Sequence, residues 1–268
     1  MKLTTKSASV LIAVLAASTI GGTIVSAADA KSLNSNGTVE VGEAEDTGGP
    51  DVDGKIPDPE TDDKVTPTNP DEVELNDEKG PLKIESVTNL NFGKISPIAK
   101  EIKTNAAGIE TDKGFRGAMV TFADVRADVY GYTIQAQLTQ PFTSGTNVLN
   151  GATIGYKNAI AKPEAENKNT AGKFKDGAAF VLNSGEDGKT PNAVEVFTAD
   201  AANKEGKGRY TLEYGQSASY QAPEGVIGAG VADTADKSVE LTIPMKTASN
   251  MAKGTYVAKV TWSVLTTP

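Results

Sequence analysis

The chain has 268 residues, of which 38% are hydrophobic and 23% charged, and its formal net charge is −9. It contains no cysteine and no histidine, which excludes disulfides, lipid attachment through cysteine, His-based hydrolytic triads and ordinary zinc sites. The remaining carboxylates, lysines and hydroxyls show no catalytic spacing, so we predict no enzyme activity, no cofactor and no metal. The negative charge disfavours nucleic acid and anionic membranes as partners.

The first 27 residues have the composition of a secretory signal. Lys2 and Lys6 precede an apolar run over residues 8–20, and Val25-Ser26-Ala27 supplies the small residues of a cleavage site. The run is shorter than the ~20 apolar residues that a membrane-spanning helix needs. We therefore predict an exported chain with a signal peptide at 1–27 and a mature domain at 28–268, in preference to an uncleaved anchor.

Residues 40–78 form an acidic, proline-rich segment. It carries fifteen acidic side chains against two lysines, and five of the 13 prolines. We expect an extended, solvated insert or linker at about 42–79. A strand-like run at 38–41 favours one domain that contains this insert; the alternative is a disordered arm before a domain that starts near Gly80. Asp51-Val-Asp53-Gly54 is half of a calcium loop, too little to predict a specific calcium site.

Strand-like runs between Gly, Asn, Asp and Pro residues follow the acidic segment, and no run has the apolar stripe of a helix. This pattern predicts an all-β fold, a β-sandwich or jelly-roll-like single domain. The predicted strands cover residues 82–87, 117–124, 132–138, 153–156, 178–182, 193–198, 210–214, 238–244 and 255–265. The turn at 204–209 is predicted as an exposed hairpin.

The last predicted strand contains the only tryptophan of the chain, Trp262. Apolar residues alternate with Lys259, Thr261 and Ser263, as in a strand with one face buried. The end of the chain is therefore predicted to be structural and not a tail.

This C-terminal segment resembles the distal motif of the WxL cell-wall-binding domains of low-GC Gram-positive bacteria. Tyr256, Thr261, Trp262 and Pro268 match that motif, and Val260 and Val264 stand at its two leucine positions. The proximal motif of the family follows an Asp-x-Arg and a glycine, which here are Asp124-Val-Arg126 and Gly131. Tyr132 stands where tryptophan is expected. Further similarity lies at residues 67–70, 80–84, 91–93, 142, 149–154, 208–210 and 239–244, so that the resemblance covers about 35–268.

The resemblance implies a secreted, non-enzymatic surface protein that binds non-covalently to peptidoglycan or its attached polymers. It also implies assembly with other secreted or membrane-anchored wall proteins, without membrane insertion. The alternative is a β-sandwich adhesin or scaffold that binds host or partner proteins. A carboxylate-pair glycosidase ranks third, because it needs two facing acids in a cleft, whereas the acids of this chain crowd into one segment.

We interpret the motif residues as positions that stabilise the fold, in preference to positions that contact a ligand. Tyr132 and Trp262 share strand faces with aliphatic residues, which favours core packing over sugar stacking. Asp124 and Arg126 lie on one strand face, where they form a surface ion pair or, as a tentative binding site, aim donors at an acidic wall polymer. The motif positions interpreted in this way are Tyr132, Tyr256, Thr261, Trp262, Val264 and Pro268. Gln135, Gln137 and Thr139, with exposed Tyr130 and Tyr220, are alternative contacts to glycan.

Overall fold

The computed structural model describes residues 37–49, 55–184 and 191–266. The predicted signal peptide, residues 51–54 and Pro268 lie outside the described residues. Residues 37–41 belong to a unit separate from the compact unit that starts at Gly42. They contain no strand, so the strand predicted at 38–41 is wrong. Val39 and Val41 are 89% and 81% exposed, so burial of their side chains contributes little to ordering this run.

Strands account for almost all the regular structure of the described residues. They are β1 (Ile56–Pro57), β2 (Lys64–Val65), β3 (Val73–Leu75), β4 (Leu82–Thr88), β5 (Ile102–Asn105), β6 (Ile109–Thr111), β7 (Gly114–Arg116), β8 (Ala118–Asp124), β9 (Tyr132–Ser144), β10 (Asn147–Val148), β11 (Thr153–Tyr156), β12 (Ala159–Pro163), β13 (Lys173–Phe174), β14 (Phe180–Asn183), β15 (Val194–Ala199), β16 (Gly208–Tyr214), β17 (Ile227–Gly228), β18 (Val239–Ile243) and β19 (Val257–Thr266). One α-helix, α1 (Met245–Ala248), and one 3₁₀ turn (Pro70–Glu72) complete the elements.

All nine predicted strands are present, and the all-β prediction is confirmed. The strand Thr153–Tyr156 has its predicted bounds, whereas the strand predicted at 178–182 starts two residues later, at Phe180. The strands that the sequence did not indicate are two to five residues long. Runs of that length are too short for a period-2 alternation to stand out.

Three antiparallel sheets form the body of the compact unit. The first has six strands in the order β17-β12-β16-β8-β4-β3, and the second has four in the order β14-β11-β18-β5. The third is built around β9, which pairs with β10, β15 and β19, while β13 pairs with β15. This set of antiparallel sheets is consistent with a β-sandwich.

One hydrophobic core is shared by the three sheets. Phe122 of β8 stacks on Tyr210 of β16 with their ring centroids 5.8 Å apart, and it meets Tyr132 of β9 edge-on, also at 5.8 Å. Aromatic pairs of this kind contribute about 0.5–1.5 kcal/mol beyond the area that they bury. These three rings are fully buried, and they join the first sheet to the third.

The opposite face of the six-stranded sheet is polar and is covered by the acidic segment. Tyr210, Leu212 and Tyr214 of β16 point into the core, so Arg209, Thr211 and Glu213 point to the other face. Ile56 and Val65 of the acidic segment form a small second cluster there with Met119 and Ile109. The acidic segment is therefore not uniformly solvated: β1 and β2 pack on the sheet as a layer.

Two ion pairs hold this layer. Arg116 of β7 donates two hydrogen bonds to Asp58, at 3.0 and 2.9 Å, and both side chains are almost fully buried. Loss of one partner from a buried pair of this kind costs about 3–5 kcal/mol, because the other charge is left without compensation. The buried Lys162 of β12 donates to the carbonyl of Thr61 at 2.8 Å and pairs with the exposed Asp62. These contacts tie the acidic segment to the β6–β7 hairpin and to the sheet that it covers.

Glu213 lies beneath this layer and is fully buried. One carboxylate oxygen accepts a hydrogen bond from the Gly117 amide at 3.1 Å, and the other has no partner among the described residues. Burial raises the pKa of the Glu213 carboxyl well above its ordinary value, and the charges of Glu60 and Asp58 raise it further, against the opposing effect of Arg116. A Cβ at position 117 would lie 2.1 Å from the Gly215 carbonyl oxygen. Only glycine therefore fits at position 117, whose amide donates to Glu213.

The raised pKa of Glu213 makes the stability of the chain depend on pH. In the folded state the carboxyl keeps its proton at pH values where the unfolded chain has lost it, so the free energy of unfolding falls as the pH rises through the folded pKa. Glu213→Gln removes this titration. We expect the stability of the variant relative to the wild type to increase from about pH 4 to about pH 8 in urea unfolding. Glu195→Gln, at a half-exposed glutamate, is the control for loss of one charge. Identical pH slopes for Glu213→Gln and the wild type would contradict the assignment.

Candidate functional site

The structure brings the two motif segments together as neighbouring antiparallel strands. β19 runs alongside β9, with Trp262 opposite Ala136, Val264 opposite Ile134 and Thr266 opposite Tyr132. The segments are more than a hundred residues apart in the chain. Their proximity follows from the pairing of β9 and β19, which was not visible in the sequence.

Tyr132 lies at the start of β9 and is fully buried. Its hydroxyl donates a hydrogen bond to the carbonyl of Gly206 at 2.9 Å. Gly206 has φ +86°, and a Cβ there would lie 2.7 Å from the tyrosine oxygen and 2.4 Å from the Ala199 side chain. Burial raises the pKa of the Tyr132 hydroxyl well above its ordinary value. No face of this ring is open to a sugar.

Trp262 is partly buried and packs in a group of aromatic rings. Its ring centroid lies 6.0 Å from that of Tyr156, 6.1 Å from that of Phe180 and 6.1 Å from that of Tyr214. Val264, on the same strand face, also packs against the core. These contacts join β19 to the second sheet and to β16 of the first.

The other motif residues lie toward the surface. The Tyr256 hydroxyl donates to the carbonyl of Ala252 at 3.0 Å, and Thr261 shares a hydrogen bond of 2.7 Å with Thr139 on β9. Thr261 is exposed and Tyr256 partly buried. Pro268 lies outside the described residues.

Asp124 and Arg126 form the predicted ion pair, but the pair is buried and does not lie on the surface. Asp124 is fully buried at the end of β8, and Arg126 donates two hydrogen bonds to it, at 2.9 and 2.8 Å. Arg126 also donates to the carbonyl of Gly131, just before β9, at 3.1 Å. Lys207 donates to Asp124 at 3.2 Å and to the carbonyl of Arg126 at 2.5 Å. The group fixes the turn from β8 to β9 and leaves no charge of Asp124 free for a polymer.

The basic side chains of the hairpin that was predicted to be exposed, at residues 204–209, also have partners. Besides its contacts to Asp124, Lys207 lies over the Tyr130 ring, 4.9 Å from the centroid. Arg209 donates to Glu85 at 2.6 Å and to Glu164 at 3.1 Å. Tyr130 and Tyr220, predicted as exposed, are both partly buried. The turn between β15 and β16 is thus exposed only at Asp200 and at residues 202–204.

A groove of about 690 Å³ opens on the surface, and its lining contains no residue of β9 or β19, although the ring of Phe92 packs edge-on against Phe142 of β9 at 5.8 Å. Its walls are the loop after β4, the β5–β6 connection, the β6–β7 hairpin, the loop after β16 and the loop before β18. Two aromatic residues line it: Phe92, which is partly buried, and Phe115, which is 58% exposed. The polar part of the lining consists of asparagine, glutamine, serine, aspartate and Lys113 side chains. The groove could not be predicted from the sequence, because its walls come from five segments that are separate in the chain.

Hydrogen bonds from buried residues hold the floor of the groove in place. Ser217 donates from its backbone amide to Glu60 at 2.6 Å, and its hydroxyl contacts the other oxygen of that carboxylate. The Gln216 side chain donates to the carbonyl of Asn158 at 2.8 Å and accepts from the Val231 amide at 2.8 Å. Both Gln216 and Ser217 are buried. Glu60 belongs to the acidic segment, so that layer also supports the groove.

Neither a metal centre nor a membrane span is found among the described residues. No group of three or more acidic side chains there is arranged to hold a metal ion. No helix in the described ranges has the length and apolar character needed to cross a bilayer. The half calcium loop at 51–54 lies outside the described residues.

Comparison with known protein families shows what the chain is similar to. The family model described as "WxL domain surface cell wall-binding" matches residues 28–268. No curated protein matches the chain, and no solved structure matches it either.

The buried contact of Tyr132 predicts a measurable effect on stability. Tyr132→Phe leaves the Gly206 carbonyl without its hydrogen-bond donor in the core, and we expect a loss of about 1–3 kcal/mol in urea unfolding. Tyr256→Phe removes a hydroxyl with the same kind of carbonyl partner near the surface, and it should cost less than about 0.5 kcal/mol. Equal losses in the two variants would argue against a structural role for the Tyr132 hydroxyl.

Proposed function

Because the chain belongs to the WxL family of surface cell-wall-binding domains, we propose that it is exported and binds non-covalently to the peptidoglycan of Gram-positive cell walls. The single observation that carries this proposal is the extent of the family match, which fills the predicted mature chain from residue 28 to residue 268. The wall-binding domain is thus the main functional unit of the mature chain. Residues 1–27 are the proposed export signal.

We propose a binding role without catalysis. The chain has no histidine or cysteine to act as base or nucleophile. Two of its buried acids have ion-pair partners, Asp58 with Arg116 and Asp124 with Arg126 and Lys207, and a third, Glu213, is fully buried beneath the acidic segment, where no substrate reaches it. Retention at the wall is the proposed activity, and other secreted or membrane-anchored wall proteins are the proposed partners.

In this proposal the two motif strands act as a scaffold. Tyr132 has no exposed face, and Trp262 packs on three other rings. Both side chains stabilise the pairing of β9 with β19, and contact with the wall is left to other surfaces.

Co-sedimentation with purified sacculi tests the proposal. Residues 28–268 are mixed with Gram-positive sacculi before and after removal of the attached polymers, at low and high salt. We expect the protein to pellet with stripped sacculi, and to do so at high salt, because peptidoglycan recognition by uncharged groups is little screened by ions. An unrelated acidic protein of similar charge serves as the control.

Two other outcomes of the co-sedimentation would change the proposal. Loss of binding after stripping would move the ligand to the attached polymers. Failure to bind either preparation would overturn the proposal and favour an adhesin or scaffold that recognises proteins.

A further inference from the structure

The exposed ring of Phe115 marks a site that the motif strands do not explain. Phe115 lies on the short β6–β7 hairpin, where it pairs across the strands with Glu110. Its 58% exposure makes it the most exposed aromatic side chain among the described residues. Because an aromatic face in water favours stacking on an apolar surface, such a ring beside a groove is typical of a ligand contact.

We propose that the groove beside Phe115 binds an uncharged stretch of wall glycan, with the Phe115 ring stacked on the apolar face of a sugar. This inference rests on the proposed wall-binding function and names the site and the ligand class. The volume of about 690 Å³ lies within the usual range for ligand sites, about 300–1,000 Å³.

Polar side chains around the Phe115 ring can form hydrogen bonds with the polar groups of a sugar. Asn91, Asn105, Ser219 and Asp236 line the groove and are exposed to solvent. Amides, a hydroxyl and a carboxylate together donate to and accept from sugar hydroxyls and N-acetyl groups. A mixed lining of one open aromatic face and several small polar groups fits an amphipathic ring better than a purely apolar ligand.

The charges around the groove offer little to an anionic polymer. The charged lining residues are Lys113, Asp233 and Asp236. Lys113 is paired with Asp63 at 2.7 Å, and Lys237 pairs with Asp233 at 2.7 Å and with Asp236 at 3.9 Å. A polymer with a phosphate on each repeat would therefore have to compete with Asp63 for the lysine of the lining, whereas an uncharged glycan needs no cation.

The groove is held in shape before any ligand binds. Ser217 is anchored on Glu60, and the Ala107 amide donates to the Asn91 carbonyl at 2.9 Å, which joins two of the walls. A Cβ at Gly108 would lie 2.9 Å from the Arg116 carbonyl, so the β5–β6 connection passes close to the hairpin that carries Phe115. Binding therefore requires little ordering of the walls, which favours affinity.

Titration of residues 28–268 with a soluble β-1,4-linked N-acetylglucosamine oligomer tests the inference, with polyglycerol phosphate as the anionic comparison. Calorimetry should show binding of the oligomer and none of the phosphate polymer. Phe115→Ala should raise the Kd for the oligomer about tenfold, since stacking of this kind contributes about 1 kcal/mol or more. Phe115→Trp keeps an aromatic face and should stay close to the wild type. Val181→Ala, at a half-exposed residue outside the groove, is the control and should change nothing.

Pelleting of the wild type and of Phe115→Ala with sacculi, measured side by side, distinguishes a failure of this inference from a failure of the proposed function. If the wild type pellets with sacculi and Phe115→Ala pellets equally well, the groove assignment is overturned while wall binding stands. No response of the wild type to the oligomer, or Phe115-dependent binding of polyglycerol phosphate, also overturns it. Thermal unfolding of Phe115→Ala should match that of the wild type, because the ring is not part of the core.

Discussion

Compensation of the cations beneath the acidic segment shapes much of this side of the molecule. The six-stranded sheet buries one face in the shared core and carries polar residues, among them Lys162, on the other. A buried charge without a partner is costly, so these cations need carboxylates beside them. The acidic segment supplies two: Asp58 for Arg116 of the β6–β7 hairpin, and Asp62 for Lys162 of the sheet. The clustering of acids in one part of the sequence thus has a structural use.

The same layer connects the interior to the groove. Glu60 lies beside Arg116, with 3.9 Å between the nearest charged atoms, and it accepts hydrogen bonds from Ser217 in the groove floor. The hairpin that exposes Phe115 is the hairpin that buries Arg116, since the two residues are adjacent on β7. Neighbouring side chains of one strand therefore point in opposite directions, one to the ion pair and one to the groove. The Arg116–Asp58 ion pair therefore holds the strand that carries Phe115, whose ring we propose as the sugar contact.

The long strands could be predicted from apolar residues spaced two apart, as in β16 and β19. In β19 this alternation matches one more buried face, whereas β8 and β16 are buried on both faces because the acidic segment covers the second one. The sequence did not predict β1 and β2, whose two residues each carry no pattern, nor the burial of Asp58 and Asp124, since acids are usually solvated. It also gave no sign of the groove. Phe115 is only one apolar residue in a three-residue strand, and its role as a candidate contact depends on loops that are distant in the chain.

The domain thus consists of a motif scaffold, β9 with β19, and a proposed recognition groove beside Phe115. Amide hydrogen exchange, followed by mass spectrometry with and without solubilised peptidoglycan glycan, distinguishes the two parts. We expect slower exchange in residues 91–93, 113–117 and 216–219 when glycan is present, and no change in Val257–Thr266. Slower exchange confined to β19 or β9, with the groove loops unchanged, would contradict this assignment and place the wall contact on the motif strands themselves.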